Sequence, residues 1–458
     1  MSAQQVKLSV TEKIGYGMGD AASNIIFQTV MTFLAFFYTD IFGISAAAVG
    51  TLFLSVRLLD AITDPLMGSL ADRTETRWGK YRPYLLWLCV PYALICILTF
   101  TTPDWGDNAK LIYAFVTYSL LMIMYTAINI PYCALGGVLT SDPQERVSIQ
   151  SYRFALASLA GIFITACTLP LVDYFGGGDK ELGYQLTMIF MSIIGIALFL
   201  MCFATTKERI ASPKREKVSI KRDLKLLLKN DQWVIVGIIT FTVMFAVILR
   251  ATVSLYYVNY VLEQPSLATA FVTTGMIGMF LGTLFAKPIT DKFCKVKVYR
   301  YTTLLIASLC FCLYFLNPSF ILLAFVFQFV IGFLQQMTTP IIWVMMTDTV
   351  DYGEWKTGER LTAFTFSGSL FILKLGMSVA GAIAGWILAF YGYQGGENQT
   401  ESALEGINLL FTIIPAGASL FAFYLVHHYR LNKSELAKVQ AQIAMESEPE
   451  QKLQPELG

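Results

Sequence analysis

Charge is what this sequence has least of. Only 14% of its residues are Asp, Glu, Lys or Arg, against 55% hydrophobic. Soluble domains carry roughly 25% charged residues, so a water-soluble enzyme of ordinary make-up is excluded. The signs almost cancel, to +1 at pH 7, which removes any electrostatic case for nucleic acid or a strongly acidic partner. Histidine is scarcer still, with His427 and His428 at the end of the last apolar run. No zinc ligand set and no Ser/His arrangement accompanies them, so an intramembrane enzyme is not the expectation. The eight cysteines fall mostly inside apolar runs without metal-site spacing and read as small packing residues. The opening MSAQQVKLSVTEK is polar and short, and reads as carrying no cleavable signal.

Long apolar runs are abundant. A bilayer core of about 30 Å takes around 20 apolar residues in a helix, and that window finds about twelve spans. They are 14–42, 46–70, 82–102, 109–138, 150–174, 183–205, 232–262, 267–290, 299–316, 319–348, 362–392 and 403–428. Backbone in lipid must satisfy itself, and runs this long exclude a barrel, so the fold class is an all-α polytopic membrane protein. Arg73, Arg77, Lys80, Arg82, Arg146, the stretch 207–230, Lys292, Lys295, Lys297, Arg300, Lys356 and Arg360 all fall on one side. The opposite loops hold little beyond Lys110 and Lys180, so the positive-inside rule puts both termini in the cytoplasm. The expected organisation is a six-helix bundle over 1–206, a basic linker over 207–231, a second bundle over 232–430 and a cytoplasmic tail over 431–458. The halves echo each other. ADRTETRWGKYRP (71–83) answers TDKFCKVKVYR (290–300), and Pro131 answers Pro340, each ahead of a charged loop. Such echoes are the mark of a parallel repeat.

Against this background RLLDAITDP (57–65) stands out, because Arg57, Asp60 and Asp64 lie in the middle of a spanning run. Ionisable groups at that depth face partners or a water-filled cavity. Asp60 and Asp64 share one helix face at i, i+4. Two carboxylates and a nearby hydroxyl suit a small hard cation such as Na+, or they share a proton. A cluster clamped by Arg57 is the alternative. Lys374 lies too deep in the eleventh span to snorkel, and its expected partner is the aspartate pair or a substrate. Arg250 is deep in the seventh span without an acid on its own helix. It faces either a substrate or a carbonyl or acid of another helix. Arg153 lies about one turn inside the fifth span, at a cavity's inner end or at the interface. Asp20, Ser23, Asn24 and Gln28 share the first span; Tyr125, Thr126, Asn129 and Tyr132 the fourth; Gln335, Gln336 and Trp343 the tenth. Amides and aromatic faces together suit a polyhydroxylated ligand. SVAGAIAG (378–385) reads as close helix packing.

RLLDAITDP, ADRTETRWGKYRP, YTAINIPYCAL and TDTVDYGEWKTGERL together resemble the glycoside–pentoside–hexuronide:cation symporters, the melibiose permease-like family of the major facilitator superfamily. The resemblance runs from YGMGD (16–20) to the last span, with wording most like a bacterial xyloside and pentoside branch. It implies a major facilitator fold of twelve helices in two six-helix halves, in a bacterial inner membrane. It implies that Asp60 and Asp64 bind the coupling Na+ or H+, that Thr126 joins them, and that Lys374 links that site to the sugar. Arg153, Tyr125 and Trp343 match positions of the sugar pocket or its gating. Where melibiose permeases carry sugar-binding aspartates on the first and fourth helices, this chain has Asn24 and Asn129, and Cys133 replaces a pocket tryptophan. With Arg250 present, the expected pocket is less negative and tolerates an acidic sugar, with a neutral pentoside the leading choice.

The expected activity is therefore cation-coupled symport by alternating access, with Asp20, Asn24, Tyr125, Asn129, Arg153, Arg250, Trp343 and Lys374 at the substrate. Asp72, Arg73, Arg77, Arg146, Asp351, Glu354 and Arg360 are the expected cytoplasmic latch. No cofactor is expected beyond the coupling ion, and a monomer is expected to suffice. The rival class is a lipid or lysolipid carrier of the same fold, which needs an apolar cavity open sideways.

Overall fold

The computed structural model describes residues 8–140, 143–209, 220–359, 361–396, 398–432 and 434–442. These residues form helices joined by short turns, with an isolated bridge between Thr76 and Gly79 and no strand among them. Among the described residues, ten helices are long and apolar enough to cross a membrane. The first two rods, α1 (Val10–Thr29) and α2 (Ala46–Arg73), are those that carry the intramembrane acids, and they complete the expected twelve. The others follow as α3 (Arg82–Thr99), α4 (Asp107–Leu139), α5 (Pro143–Gly176), α6 (Lys180–Thr205), a short α7 (Ile220–Lys229), α8 (Asp231–Tyr256), α9 (Ala268–Lys292), α10 (Lys295–Tyr314), α11 (Ile321–Thr357) and α12 (Thr362–Phe390). The last span is two pieces, α13 (Glu401–Phe411) and α14 (Ile413–Val426).

Local chemistry sets the starts and stops. Ser9 caps α1 by accepting the Glu12 amide at 3.2 Å, the S-x-x-E pattern of a capping box. Asp179 caps α6 through the amides of Glu181 and Leu182. Gly358 ends α11 with φ 73°, a conformation other residues adopt only under strain. The last span breaks because Pro415 has no N–H to give the Phe411 carbonyl four residues back. Thr412, at the break, has φ −121° and ψ −72°.

The chain gathers into two compact units that cut across the expected halves. Unit 1 holds residues 1–214 together with 251–276 and 381–408; unit 2 holds 215–250, 277–380 and 409–458. In unit 1, α1 packs on α5 and α6, α3 on α4 and α6, and α2 on α4. Gly19 in YGMGD makes this possible, since a Cβ there would stand 2.5 Å from the Tyr132 ring. In unit 2, α10 packs on α11 and α14 around a core that includes Val236, Tyr299, Ile306, Met345 and Met346. SVAGAIAG packs as expected: a Cβ on Gly385 would lie 2.4 Å from the Ala46 carbonyl oxygen and 2.6 Å from Gly50.

The expected repeat shows in backbone detail. The rod begun by α1 ends in a π-turn at Phe37–Ile41, and the rod of α8 ends in one at Tyr257–Val261. Each π-turn is closed by the same two bonds, Phe42 N–H to Phe37 O with Ile44 N–H to Tyr38 O, and Leu262 N–H to Tyr257 O with Gln264 N–H to Val258 O. Each then passes through a left-handed residue, Gly43 at φ 78° and Glu263 at φ 52°. The N-terminal bundle also extends past its expected end at residue 206. Arg209 donates its amide to the Val138 carbonyl at 2.9 Å and pairs with Glu12. Of the expected linker, 210–219 lies outside the described residues, as does 443–458 of the tail.

Candidate functional site

Asp60 is buried at 3% exposure on α2, and Asp64 follows one turn later. Thr126 on α4, equally buried, donates its hydroxyl to Asp64 Oδ1 at 3.0 Å. Three oxygen-bearing side chains predicted to act together thus stand on two packed helices. The side chain of Arg57, the alternative clamp, lies outside the described residues.

From Thr126 the neighbouring row of α4 leads to a second polar group. Tyr125, Asn129 and Cys133 follow each other at i, i+4 and so lie one above the next. Asn129 Nδ2 donates to the Tyr125 hydroxyl at 3.4 Å, and Cys133 Sγ lies 3.9 Å from Asn129 Oδ1. Arg153 of α5 comes within 3.7 Å of Cys133 Sγ and pairs with Asp20 of α1, Nε to Oδ2 at 3.1 Å. Gln150 accepts from the same guanidinium, which also lies 5.4 Å from the Tyr132 ring centroid. Tyr132 in turn stacks on Tyr16 at 4.9 Å and donates to the Tyr16 carbonyl, tying α1 to α4. Asn24 donates to the Asp20 carbonyl at 2.9 Å. Tyr125 is held by Phe27 at 5.4 Å and Tyr92 at 6.5 Å. Asp20, Asn24, Tyr125, Asn129 and Arg153 are therefore brought together as expected. Asp20, one turn before Asn24, forms an ion pair with Arg153 that leaves the patch close to neutral.

Arg250 belongs to the second unit and is engaged there. At 5% exposure its guanidinium donates to the Phe411 carbonyl at 2.8 Å and to Gln328 Oε1 at 2.6 Å, stacked 4.1 Å from the Phe411 ring. It supplies the donor that Pro415 cannot, which is the carbonyl pairing weighed against the substrate role. Trp343 is exposed and Lys374 half-buried, both in unit 2.

Of the expected latch residues, Arg73 and Arg77 are exposed in unit 1, Arg77 lying 4.3 Å over the Trp78 ring. In unit 2 Asp351 accepts from Gln440 at 2.9 Å, and Glu354 lies half-buried on α11. Arg360 and the side chains of Asp72 and Arg146 lie outside the described residues. Glu208 escaped the reading of the sequence. Its carboxylate accepts the amides of Lys80, Tyr81 and Arg82 at 2.8, 2.7 and 2.9 Å, capping α3. Gly79, at φ 110°, explains the glycine of RWGKYRP, since a Cβ there would meet that carboxylate at 2.4 Å. Asp348 is a comparable missed acid in unit 2, bonded to Lys295 and, at 2.8 Å, to Tyr429.

Among the described residues, ten helices apolar and long enough to span a membrane with α1 and α2 beside them, a backbone-level repeat and a polar patch define a multi-pass membrane transporter. Residues 15–433 match the family described as MFS/sugar transport protein. The inner membrane symporter YicJ of Escherichia coli (strain K12) is 48% identical over 95% of each chain. The isoprimeverose transporter of Lactiplantibacillus pentosus is 37% identical over 93% of this chain and 89% of that one. Among solved structures the nucleoside transporter NupG shares the fold, with a TM-score of 0.66 at 12% identity, covering 91% of this chain and 99% of that one. The chain belongs to the MFS/sugar transport family, and it is a transporter rather than an enzyme.

Proposed function

We propose that the protein couples the entry of a cation, Na+ or H+, to uptake of a neutral pentoside or related glycoside across a bacterial inner membrane. The carrying observation is the Thr126–Asp64 bond on the same helix that presents Tyr125 and Asn129 toward the Arg153–Asp20 pair. Asp60, Asp64 and Thr126 supply oxygen ligands for Na+, or a carboxylate for H+. A cation there offsets a costly buried charge and fixes α4, whose neighbouring row faces the sugar. Sugar binding then raises cation affinity by the same factor, because the coupling is reciprocal. Asp20 and Arg153 cancel within the pocket, which favours uncharged hydroxyl-rich cargo over an acid. The family description and a relative named for isoprimeverose support a saccharide. The two halves rock about the site. Lys374 and Trp343 are proposed to serve the sugar as well, and Asp72, Arg73, Arg77, Arg146, Asp351, Glu354 and Arg360 to gate the cytoplasmic side. The basic loops and both termini face the cytoplasm, and the monomer is the working unit.

The test is uptake of labelled xylosides, glucuronides and galactosides by cells expressing the protein, with sodium present and then replaced by choline at two pH values. A pentoside should accumulate and lose its gradient in one ion replacement. Asp60→Asn should abolish accumulation; uphill transport with normal ion dependence in that variant overturns the assignment.

A further inference from the structure

Asp40 is a carboxylate that neither the cation pair nor the sugar patch uses. It sits in the π-turn that ends the α1 rod, at the Ala46 end of α2. The loop with Arg73 and Arg77 lies at the other end of that 28-residue helix, about 42 Å away at 1.5 Å per residue. Two other chain segments converge on Asp40. Tyr260, from the matching π-turn after α8, donates its hydroxyl to Oδ1. Tyr393, from the turn after α12, reaches both carboxylate oxygens at 2.7 Å. Thr39 donates to Oδ2 at 2.5 Å and lies 2.8 Å from the buried Tyr256 hydroxyl. The rings interlock edge to face, Tyr393 against Tyr256 at 5.3 Å and against Tyr260 at 5.8 Å. Gly395 lets the turn press on this group, since a Cβ there would lie 2.2 Å from the Thr39 carbonyl oxygen.

We infer that Asp40, clamped by the hydroxyls of Tyr260 and Tyr393, is the latch that closes the transport path at the end away from the basic loops. The inference rests on the alternating-access reading. Asp40 comes from the first sequence half and both tyrosines from the second, so any opening at this end must part these bonds. Hydrogen bonds to an ionised group are among the stronger kind. They also break cleanly, because water can replace each hydroxyl once the segments separate. Asp40 is thus a positioning residue for transport: it sets the balance between closed and open states without touching cargo.

The test uses a reporter cysteine at Thr252, which lines the small apolar pocket beside Thr39 and Tyr256. Membrane-impermeant maleimide is applied to right-side-out and inside-out vesicles, with the protein lacking the reporter labelled in parallel. Tyr260→Phe and Tyr393→Phe each remove one hydroxyl and keep the ring. Each should speed labelling from the outside about tenfold, the effect of one charge-assisted bond on a two-state balance. Asp40→Asn should do the same. If that variant fails to reach the membrane, the phenylalanine pair decides. Unchanged rates in both, or acceleration only in inside-out vesicles, overturn the latch. The readout needs neither sugar nor ion, so it can fail while cation-coupled uptake stands, and the reverse.

Discussion

Arg153 and Asp20 show what a single residue can and cannot disclose. Both are largely buried, and their pairing spans 133 positions. Removing one partner of a buried pair strands the other charge, typically at about 3–5 kcal/mol, whereas removing both is far milder. Arg153→Gln should therefore lower the melting temperature of the purified protein more than Arg153→Gln with Asp20→Asn, read by thermal unfolding in detergent. Asp60 and Asp64 were legible in the sequence because charge inside an apolar run is its own signal. Asp20 was visible only as one polar residue among several, and its partner required the fold. Gly79 was legible as part of a motif, but its reason, the Glu208 carboxylate lodged against it, lies more than a hundred residues downstream. Gly79→Ala should destabilise by about 1–3 kcal/mol, from a left-handed backbone and a direct clash together.

At the scale of the element, hydrophobic length read all twelve rods, and the composition of α1 and α2 marked them as the ones bearing chemistry. What it could not read was how a rod ends or breaks. The last span reads as one run over 403–428, yet Pro415 splits it and Arg250 repairs the exposed Phe411 carbonyl from another helix. An unsatisfied buried acceptor costs about 1–3 kcal/mol. Arg250→Met should lose stability of that order, and Pro415→Ala, which restores an N–H, should return part of it in the double variant. Equal losses with and without Pro415 would show that the arginine acts by other means. The twin π-turns were equally hidden, since FYTDI and YVNYV match at no aligned position. Their likeness lives in backbone bonds alone.

For the whole molecule the basic midpoint suggested a cut at residue 206, and the packing moves it. Glu208 and Arg209 belong to the first six helices, through the α3 amides and through Glu12 and Val138. A chain split into co-expressed fragments after residue 214 should reassemble into transporting protein better than one split after 206, measured by sugar uptake per fragment pair. The mixed units escaped the sequence for a plain reason. Periodicity describes each rod on its own, and which rod ends cluster is decided by contacts such as Gly385 on Ala46 and Tyr393 on Asp40.

Glu208 also sets an order of events during synthesis. The ribosome delivers α3 more than a hundred residues before it delivers the carboxylate that caps it. Until then three amides at the foot of α3 have only water to bond. The nascent first bundle therefore completes its base only when the stretch beyond α6 leaves the exit tunnel, so a pause there would hold the insertion machinery on an unfinished half.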